Sequence, residues 1–346
     1  MTSLRRGLVV ALVAAAATGC SVFGGGSSDP GERTVVLVTH DSFTMKQEIL
    51  DEFRASSGIR IDVQKSGDAG ALTNRLVLTQ GNPLGDVAFG VDNTFATRAL
   101  GADVFAPYRS PEADKGPHRY PIDDTDRLTA VDLGDVCVNA DLAWFAERGL
   151  PAPTGFEDLA DPKYKDLLVV QDPATSSPGL AFALGTVVHF GQNNWVDYWS
   201  KLLANGVKVT SGWEEAYTQD FSGSSGKGPR PLVVSYATSP AAEVGSDGKP
   251  RTSALLSTCF RQIEYAGVLT NAKHPDDARK VVDFLLSQQF QSNVAEQMFV
   301  IPAREGVPLP ASWQGVVQQP SNPATMPADE IDTAWLITLW RTTMDR

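Results

Sequence analysis

"TVVLVTHDSFTMKQEILDEFRASSGIRIDVQ", residues 34–64, decides the fold. Its first six residues, 34–39, are apolar or β-branched, the composition of a strand buried on both faces. "MKQEILDEFRASSG" (45–58) then reads as a helix that stops at Gly58, and "IRIDVQ" (59–64) as a second strand. "ALTNRLVLTQG" (71–81) and "DVAFG" (86–90) continue the alternation. Helices between short β-rich runs argue for an α/β architecture with a parallel, doubly wound sheet.

Three carboxylates fall at equivalent places: Asp41 after the first strand, Asp68 after the second and Asp92 after the third. In a parallel sheet the loops following the strands share one edge, where ligands bind, so these three could line one crevice. Each alone is also an ordinary turn residue or helix cap. The middle of the chain repeats the grammar: "LLVVQ" (167–171) as a strand, "PGLAFALGTVVHF" (178–190) as a helix, "VKVT" (207–210) as a strand, a helix from Gly212, and "PLVVSY" (231–236) as a strand. This is a second α/β lobe. Between its first strand and helix lies "TSSPG", 175–179, where Pro178 suits the first helical position, Ser177 the N-cap, and Ser176 adds a hydroxyl to a helix start that attracts anions. Capping alone accounts for one of the two serines.

Toward the C-terminus, Ala278, Val281, Val282, Leu285 and Leu286 recur at helical spacing, and "TAWLITLWRTTM" (333–344) is another amphipathic helix in which Trp335 and Trp340 read as packing residues. At the other end, "MTSLRRGLVVALVAAAATGC" carries Arg5 and Arg6 before an apolar run too short to span a bilayer, an export signal. Ala17-Thr18-Gly19-Cys20 resembles the lipobox of bacterial lipoprotein signals, which would make Cys20 the lipidated first residue of the mature chain at the outer face of the cell membrane. The Gly/Ser-rich residues 21–32 then read as a tether. The remaining cysteines, Cys137 and Cys259, are an even pair in an exported chain; a disulfide and two buried thiols are both open readings.

The net charge of −12 disfavours nucleic acid, which is held mainly through Lys and Arg, and suits a cationic or neutral ligand. Catalytic parts are missing from the motifs. None of His40, His118, His189 and His274 forms a metal-site pair or an HExxH arrangement, and no Gly-x-Ser-x-Gly elbow occurs. "FSGSSGKGP" (221–229) has Phe221 where a phosphate loop needs its first glycine and Gly228 where it needs Ser or Thr. No enzyme, cofactor or metal site is expected.

"HDSF" (40–43), "GDAGALTNRL" (67–76), "DVAFGVDN" (86–93), "QDPATSSPGL" (171–180), "TSGWEEAY" (210–217) and "VVSYATSPA" (233–241) together resemble, in sequence and order, the thiamine-binding solute receptors of ABC importers. The resemblance implies a two-lobed periplasmic binding protein fold of the second class, each lobe a mostly parallel sheet flanked by helices, joined by crossing strands and closing on ligand in the cleft. It places lobe I at 33–135, lobe II at 136–260 and a return to lobe I over 261–346. It puts ligand contacts on Asp68, Ala69, Ser176, Ser177, Trp213, Tyr236, Ala237, Thr238 and Ser239, with Asp41, Asp92 and Tyr217 in shared motifs. The implied ligand is thiamine, its monophosphate or its diphosphate, with Ser176 and Ser177 meeting phosphate. The implied partners are an ABC permease and, through it, the ATPase subunit, with the receptor itself a monomer. His40, Ala69, Ala237 and Phe299 depart from the pattern of enterobacterial members. A polyamine or ferric iron is the alternative cargo for the same fold, although the adjacent tyrosines of iron receptors are absent.

Overall fold

The computed structural model describes residues 33–345; the export signal, Cys20 and the tether lie outside the described residues. In chain order the elements are β1 Arg33–Thr39, α1 Gln47–Ser57, β2 Ile59–Lys65, α2 Ala69–Leu78, β3 Val87–Asp92, α3 Ala96–Gly101, β4 Phe105–Ala106, β5 Thr129–Asp141, α4 Leu142–Glu147, α5 Phe156–Leu159 and β6 Leu168–Gln171. They continue with α6 Ser177–Phe190, α7 Trp195–Ala204, β7 Lys208–Thr210, α8 Trp213–Glu215, β8 Leu232–Tyr236, β9 Thr252–Leu269, α9 Pro275–Leu285, α10 Gln288–Met298, β10 Ile301–Pro302 and α11 Thr333–Met344.

The opening stretch folds as its pattern dictates. β1 pairs in parallel with β2 on one side and β3 on the other. Gly58 ends α1 at φ 69°, in the left-handed region, its N–H donating to the Arg54 carbonyl, the usual role of a glycine just past a helix. On the far side of the molecule β6 lies in parallel between β7 and β8. What joins the two parallel sets is a pair of long antiparallel strands, β5 and β9, so that the sheet runs β2-β1-β3-β9-β5-β8-β6-β7. Strand crossings of this kind carry the cleft between them at the carboxyl ends of the parallel strands, the position ligands take in α/β sheets.

One apolar cluster gathers β1, β3, α9 and α10 through residues such as Val35, Phe89, Val282 and Phe290; a second lies on the other face of the same strands. A third gathers β6, β8, α6 and α7 through Val170, Val234, Phe182 and Trp199. The C-terminal helix, expected with the first lobe, packs on the third cluster. Leu336 and Trp340 of α11 join the third cluster, with Trp340 edge-on to Trp199 at 5.7 Å between ring centroids. Aromatic burial of that size outweighs proximity in the chain. Trp335 packs beside Trp195 at 5.9 Å while keeping 37% of its surface exposed.

A second departure concerns the helix expected from Gly212. It is a single turn, α8, running into a π-helical turn over Ala216–Asp220. π-helical turns are rare and recur at functional sites. Here the wider turn places Tyr217 beneath Trp213, the rings stacked at 4.8 Å and 18°.

Candidate functional site

A cleft of about 430 Å³ opens between the two parallel strand sets, walled by the loops after β1 and β2, the starts of α6 and α8, and the ends of β8 and α10, with β9 as its floor. Eight of the twelve expected contact residues line it: Asp41, Asp68, Ala69, Ser177, Trp213, Tyr217, Tyr236 and Ser239. The carboxylate at 68 and the indole at 213 therefore share one cavity. Ser176, Ala237, Thr238 and Asp92 stand behind its wall, each at most 2% exposed.

Asp68 is the centre of the arrangement. It is the N-cap of α2, accepting from its neighbour Ala69 N at 2.7 Å. The same carboxylate accepts from Ser177 N at 3.2 Å, Ser176 Oγ at 2.9 Å and Trp213 N at 2.8 Å. One side chain from the β2 loop thus meets the starts of α2, α6 and α8, whose exposed N–H groups favour negative charge. Burial pushes its pKa up, and the four donors recover part of that shift without cancelling it. Close approach of the backbones supports the contact: Ala71 N donates to the Thr175 carbonyl at 2.9 Å, and a side chain on Gly70 would meet Thr175 at 2.7 Å.

The two serines differ from their expected positions by one residue. Ser176 is the N-cap of α6, Ser177 the first helical residue and Pro178 the second. The donors expected to meet a phosphate are engaged within the chain: Ser176 Oγ and Ser177 N with Asp68, and Ser177 Oγ with Asp92.

Asp92 closes the turn into α3 by accepting from Thr94 N at 3.1 Å, Thr94 Oγ1 at 2.8 Å and Phe95 N at 3.2 Å. Burial nevertheless pushes its pKa from 3.8 up to about 7, with Glu264 adding to the rise against the hydrogen bonds. A raised value means that the folded chain holds this proton more tightly than the unfolded chain does. Its stabilisation is complete below the unfolded value and is lost as pH rises through about 7. Thermal unfolding followed from pH 4 to pH 8 is expected to show a decline worth up to roughly 4 kcal/mol from this group. Asp92→Asn, which resembles the protonated acid, should flatten that part of the profile; an identical slope in the variant would refute the assignment.

The aromatic wall is fixed by hydroxyls. Trp213 Nε1 donates to Ser235 Oγ at 2.9 Å, Ser235 Oγ lies 2.7 Å from Ser239 Oγ, and Ser239 Oγ accepts from Tyr236 N at 3.1 Å. Tyr217 donates its hydroxyl to Glu243 at 3.1 Å. Gly134 of β5 seats Tyr236, because a Cβ there would lie 2.7 Å from the ring. Thr238 turns its hydroxyl to the Phe299 carbonyl, and Ala237 N donates to Asp135 O at 2.8 Å. Thr238 therefore ties the β8 loop to the end of α10, and Ala237 ties it to β5. Phe299 also lines the cleft, with its backbone left-handed at φ 56°, a conformation that a bulky residue adopts only where its surroundings impose it.

Asp41 uses its carboxylate to accept from Gly67 N at 2.9 Å, tying the loops after β1 and β2. His40 beside it also faces the cleft. Burial opposes its charge, but Glu264 at 3.6 Å, helped by Asp68 and Asp41, holds its pKa above the ordinary histidine value.

The floor adds residues that no local motif marks. Gln262 and Glu264 of β9 line the cleft, and Asp132 of β5 lies in register opposite Glu264. The available signal was Gln262 and Glu264, two apart in "CFRQIEYAGVL", the spacing that puts both on one face of a strand. Neither oxygen of Asp132 accepts from a donor among the described residues. Its neighbour across the ladder is Glu264. Burial raises Asp132 well above the carboxylate range. Glu264 is buried too, yet His40 lowers its pKa from the ordinary glutamate value, with Asp132 adding to the fall. Lys and Arg are absent from the cleft lining among the described residues, whereas five carboxylates, Asp41, Asp68, Glu214, Glu215 and Glu264, are present.

Cys137 and Cys259 are joined as a disulfide at the crossing of β5 and β9, and no helix among the described residues is long and apolar enough to cross a membrane.

Comparison with known proteins agrees with this construction. The thiamine-binding periplasmic protein of Brucella suis biovar 1 is 29% identical over 312 residues, covering 86% of this chain and 87% of its own. That of Salmonella typhimurium is 28% identical over 296 residues, covering 82% and 85%. A solved structure of a periplasmic thiamin binding protein superposes with a TM-score of 0.81 at 25% identity, covering 92% of this chain and 98% of its own. The profile of the bacterial extracellular solute-binding proteins matches residues 82–322. With two parallel strand sets around a ligand-sized cleft and that match over most of its length, the chain belongs to the bacterial extracellular solute-binding protein family.

Proposed function

We propose that this protein is an extracytoplasmic receptor for thiamine or its phosphates, supplying an ABC importer. The observation that carries the reading is the cleft's composition: Trp213, Tyr217, Tyr236, Phe299 and His40 around it, five carboxylates, and neither Lys nor Arg among the described lining residues. Thiamine combines a permanently cationic thiazolium ring with a flat aminopyrimidine. Aromatic faces attract such a cation by about 0.5–2 kcal/mol per contact, more as water is excluded. Carboxylates counter the charge or accept from the amino group. The relatives named for thiamine support the same ligand.

In this proposal the permease and its ATPase do the transport work, the receptor closes on ligand by hinge motion, and Cys20 ties it to the membrane's outer face. The twelve residues expected from the sequence form the site in two ranks. Those on the wall touch ligand; Ser176, Ala237, Thr238 and Asp92 position them. On this reading the lobe boundary lies within β5 and β9, between Asp135 and Val136 and between Phe260 and Arg261, and the packing of α11 supports counting that helix with lobe II.

Titration with thiamine, thiamine monophosphate and thiamine diphosphate tests the reading. Tryptophan fluorescence is expected to be quenched, because Trp213 lies in the wall. Ligand at a hundred times its Kd should stabilise the fold by about 2.7 kcal/mol, raising Tm. No quenching and no shift with any of the three would remove the proposal, and displacement of thiamine by spermidine at equal concentration would redirect it toward polyamines.

A further inference from the structure

The floor of the cleft holds a hydrogen-bond acceptor that no described residue fills. Gln262 is 1% exposed; its Nε2 donates to Ser177 Oγ at 2.7 Å, which fixes the amide's orientation. The opposite atom, Oε1, has no partner among the described residues. A buried amide oxygen without a donor is costly, and where it recurs in a stable fold it asks for a missing group. Two residues on, and therefore on the same face of β9, Glu264 presents a carboxylate to the same cleft. Across the ladder from it lies Asp132, and beside it His40 Nε2 stands at 3.6 Å, too far for a hydrogen bond. The floor is thus an acceptor pair, one neutral and one anionic, flanked by the rings of Tyr236, His40 and Phe299.

We propose that Gln262 and Glu264 form the subsite that reads the amino-bearing, N–H-donating edge of the ligand's flat heterocycle, and that they are the specificity-determining residues of the cleft. The inference rests on the thiamine reading above and deepens it by assigning one end of the molecule to the floor. An exocyclic amino group offers two N–H donors. One satisfies Gln262 Oε1; the other meets the Glu264 carboxylate in a charge-assisted bond, the stronger kind. A carbonyl in place of the amino group would set oxygen against two acceptors. Sites built to bond a donor reject analogues lacking it more sharply than apolar pockets reject a change of size.

The subsite is tested without any mutation by comparing thiamine with oxythiamine, in which an oxo group replaces the amino group, using isothermal titration of the whole chain. Thiamine is expected to bind at least tenfold more tightly. Glu264→Gln is expected to weaken thiamine binding by roughly tenfold to a hundredfold, the worth of one hydrogen bond to a charged group. It should also bring the thiamine-to-oxythiamine ratio toward one. Gln262→Met, with the amide replaced by an apolar chain of similar length, should lower the same ratio, and covers the case in which Glu264→Gln does not fold. Equal affinity of the unaltered protein for the two ligands overturns the subsite while leaving the thiamine reading intact, as does an unchanged ratio in folded variants. Absence of thiamine binding altogether overturns both.

Discussion

Asp68→Ala is expected to weaken thiamine binding by a hundredfold or more while leaving the two halves of the protein folded. The reason lies in what the carboxylate joins. It comes from the loop after β2, yet three of its four donors, Ser176 Oγ, Ser177 N and Trp213 N, belong to the other side of the cleft. With the hinge motion proposed above, those groups would meet water in an open molecule and Asp68 in the closed one. Alanine leaves Ser177 N and Trp213 N unpaired in the closed form alone, at a cost of about 1–3 kcal/mol for each buried orphan. The loss of the charge that faced three helix starts adds to it. Because the penalty falls on the closed state, it appears as lost affinity, at about 1.4 kcal/mol per factor of ten, more than as lost melting temperature. Asp68→Asn keeps one acceptor and should fall between. Isothermal titration measures the affinities, and small-angle scattering with and without thiamine measures closure. A variant that binds and compacts like the parent would show that the staple is incidental.

The parts of the fold that were legible in sequence are those whose pattern is local. Residues 34–64 announce strand, helix and strand because a doubly buried strand and an amphipathic helix leave different periodicities. The crossing strands β5 and β9 leave no such trace. "TAVDLGDVCVNAD" is almost wholly buried, yet its Asp132, Asp135 and Asn139 break any apolar run; they are tolerated through partners far along the chain, such as Arg261 for Asp135 and Glu264 for Asp132. The candidate site divides along the same line. Asp68 and Trp213 stand in recognisable motifs, and the architecture brings them together. Glu264 and Gln262 become visible as site residues only when β9 is laid across the floor. Ser176, read as a contact, turns inward because a helix start needs a cap before it can serve a ligand, and Asp68 takes the remaining donors.

Removing the disulfide, by Cys137→Ala with Cys259→Ala, is expected to lower Tm by about 10 °C. The two residues are 122 apart in sequence, and closing a loop of that size removes entropy from the unfolded chain worth roughly 4–5 kcal/mol in the chain-entropy account. For a domain of this size each kcal/mol moves Tm by about 2 °C. The bond also fixes an irregularity. Val136 pairs with Phe260, but Val138 pairs with Leu255, so β9 bulges outward over the residues between. Cys259 stands at the end of that bulge, and Thr258 Oγ1 fills the gap by accepting from Val138 N at 3.0 Å and donating to the Leu255 carbonyl at 2.7 Å. Bulges bend strands and raise their twist, and this one lies where β5 and β9 pass from one parallel set to the other. With the bond cut, the bulge is held by hydrogen bonds, among them those of Thr258 Oγ1, of Ser257 Oγ to the Thr154 carbonyl at 2.6 Å and of Ala324 N to the carbonyl of residue 259 at 2.8 Å, so amide exchange over residues 255–260 should accelerate beyond the global change. Calorimetry with and without reductant, thiol titration confirming reduction, and hydrogen exchange read these outcomes. An unchanged Tm after complete reduction would mean that Thr258 and the flanking pairs suffice to hold the crossing.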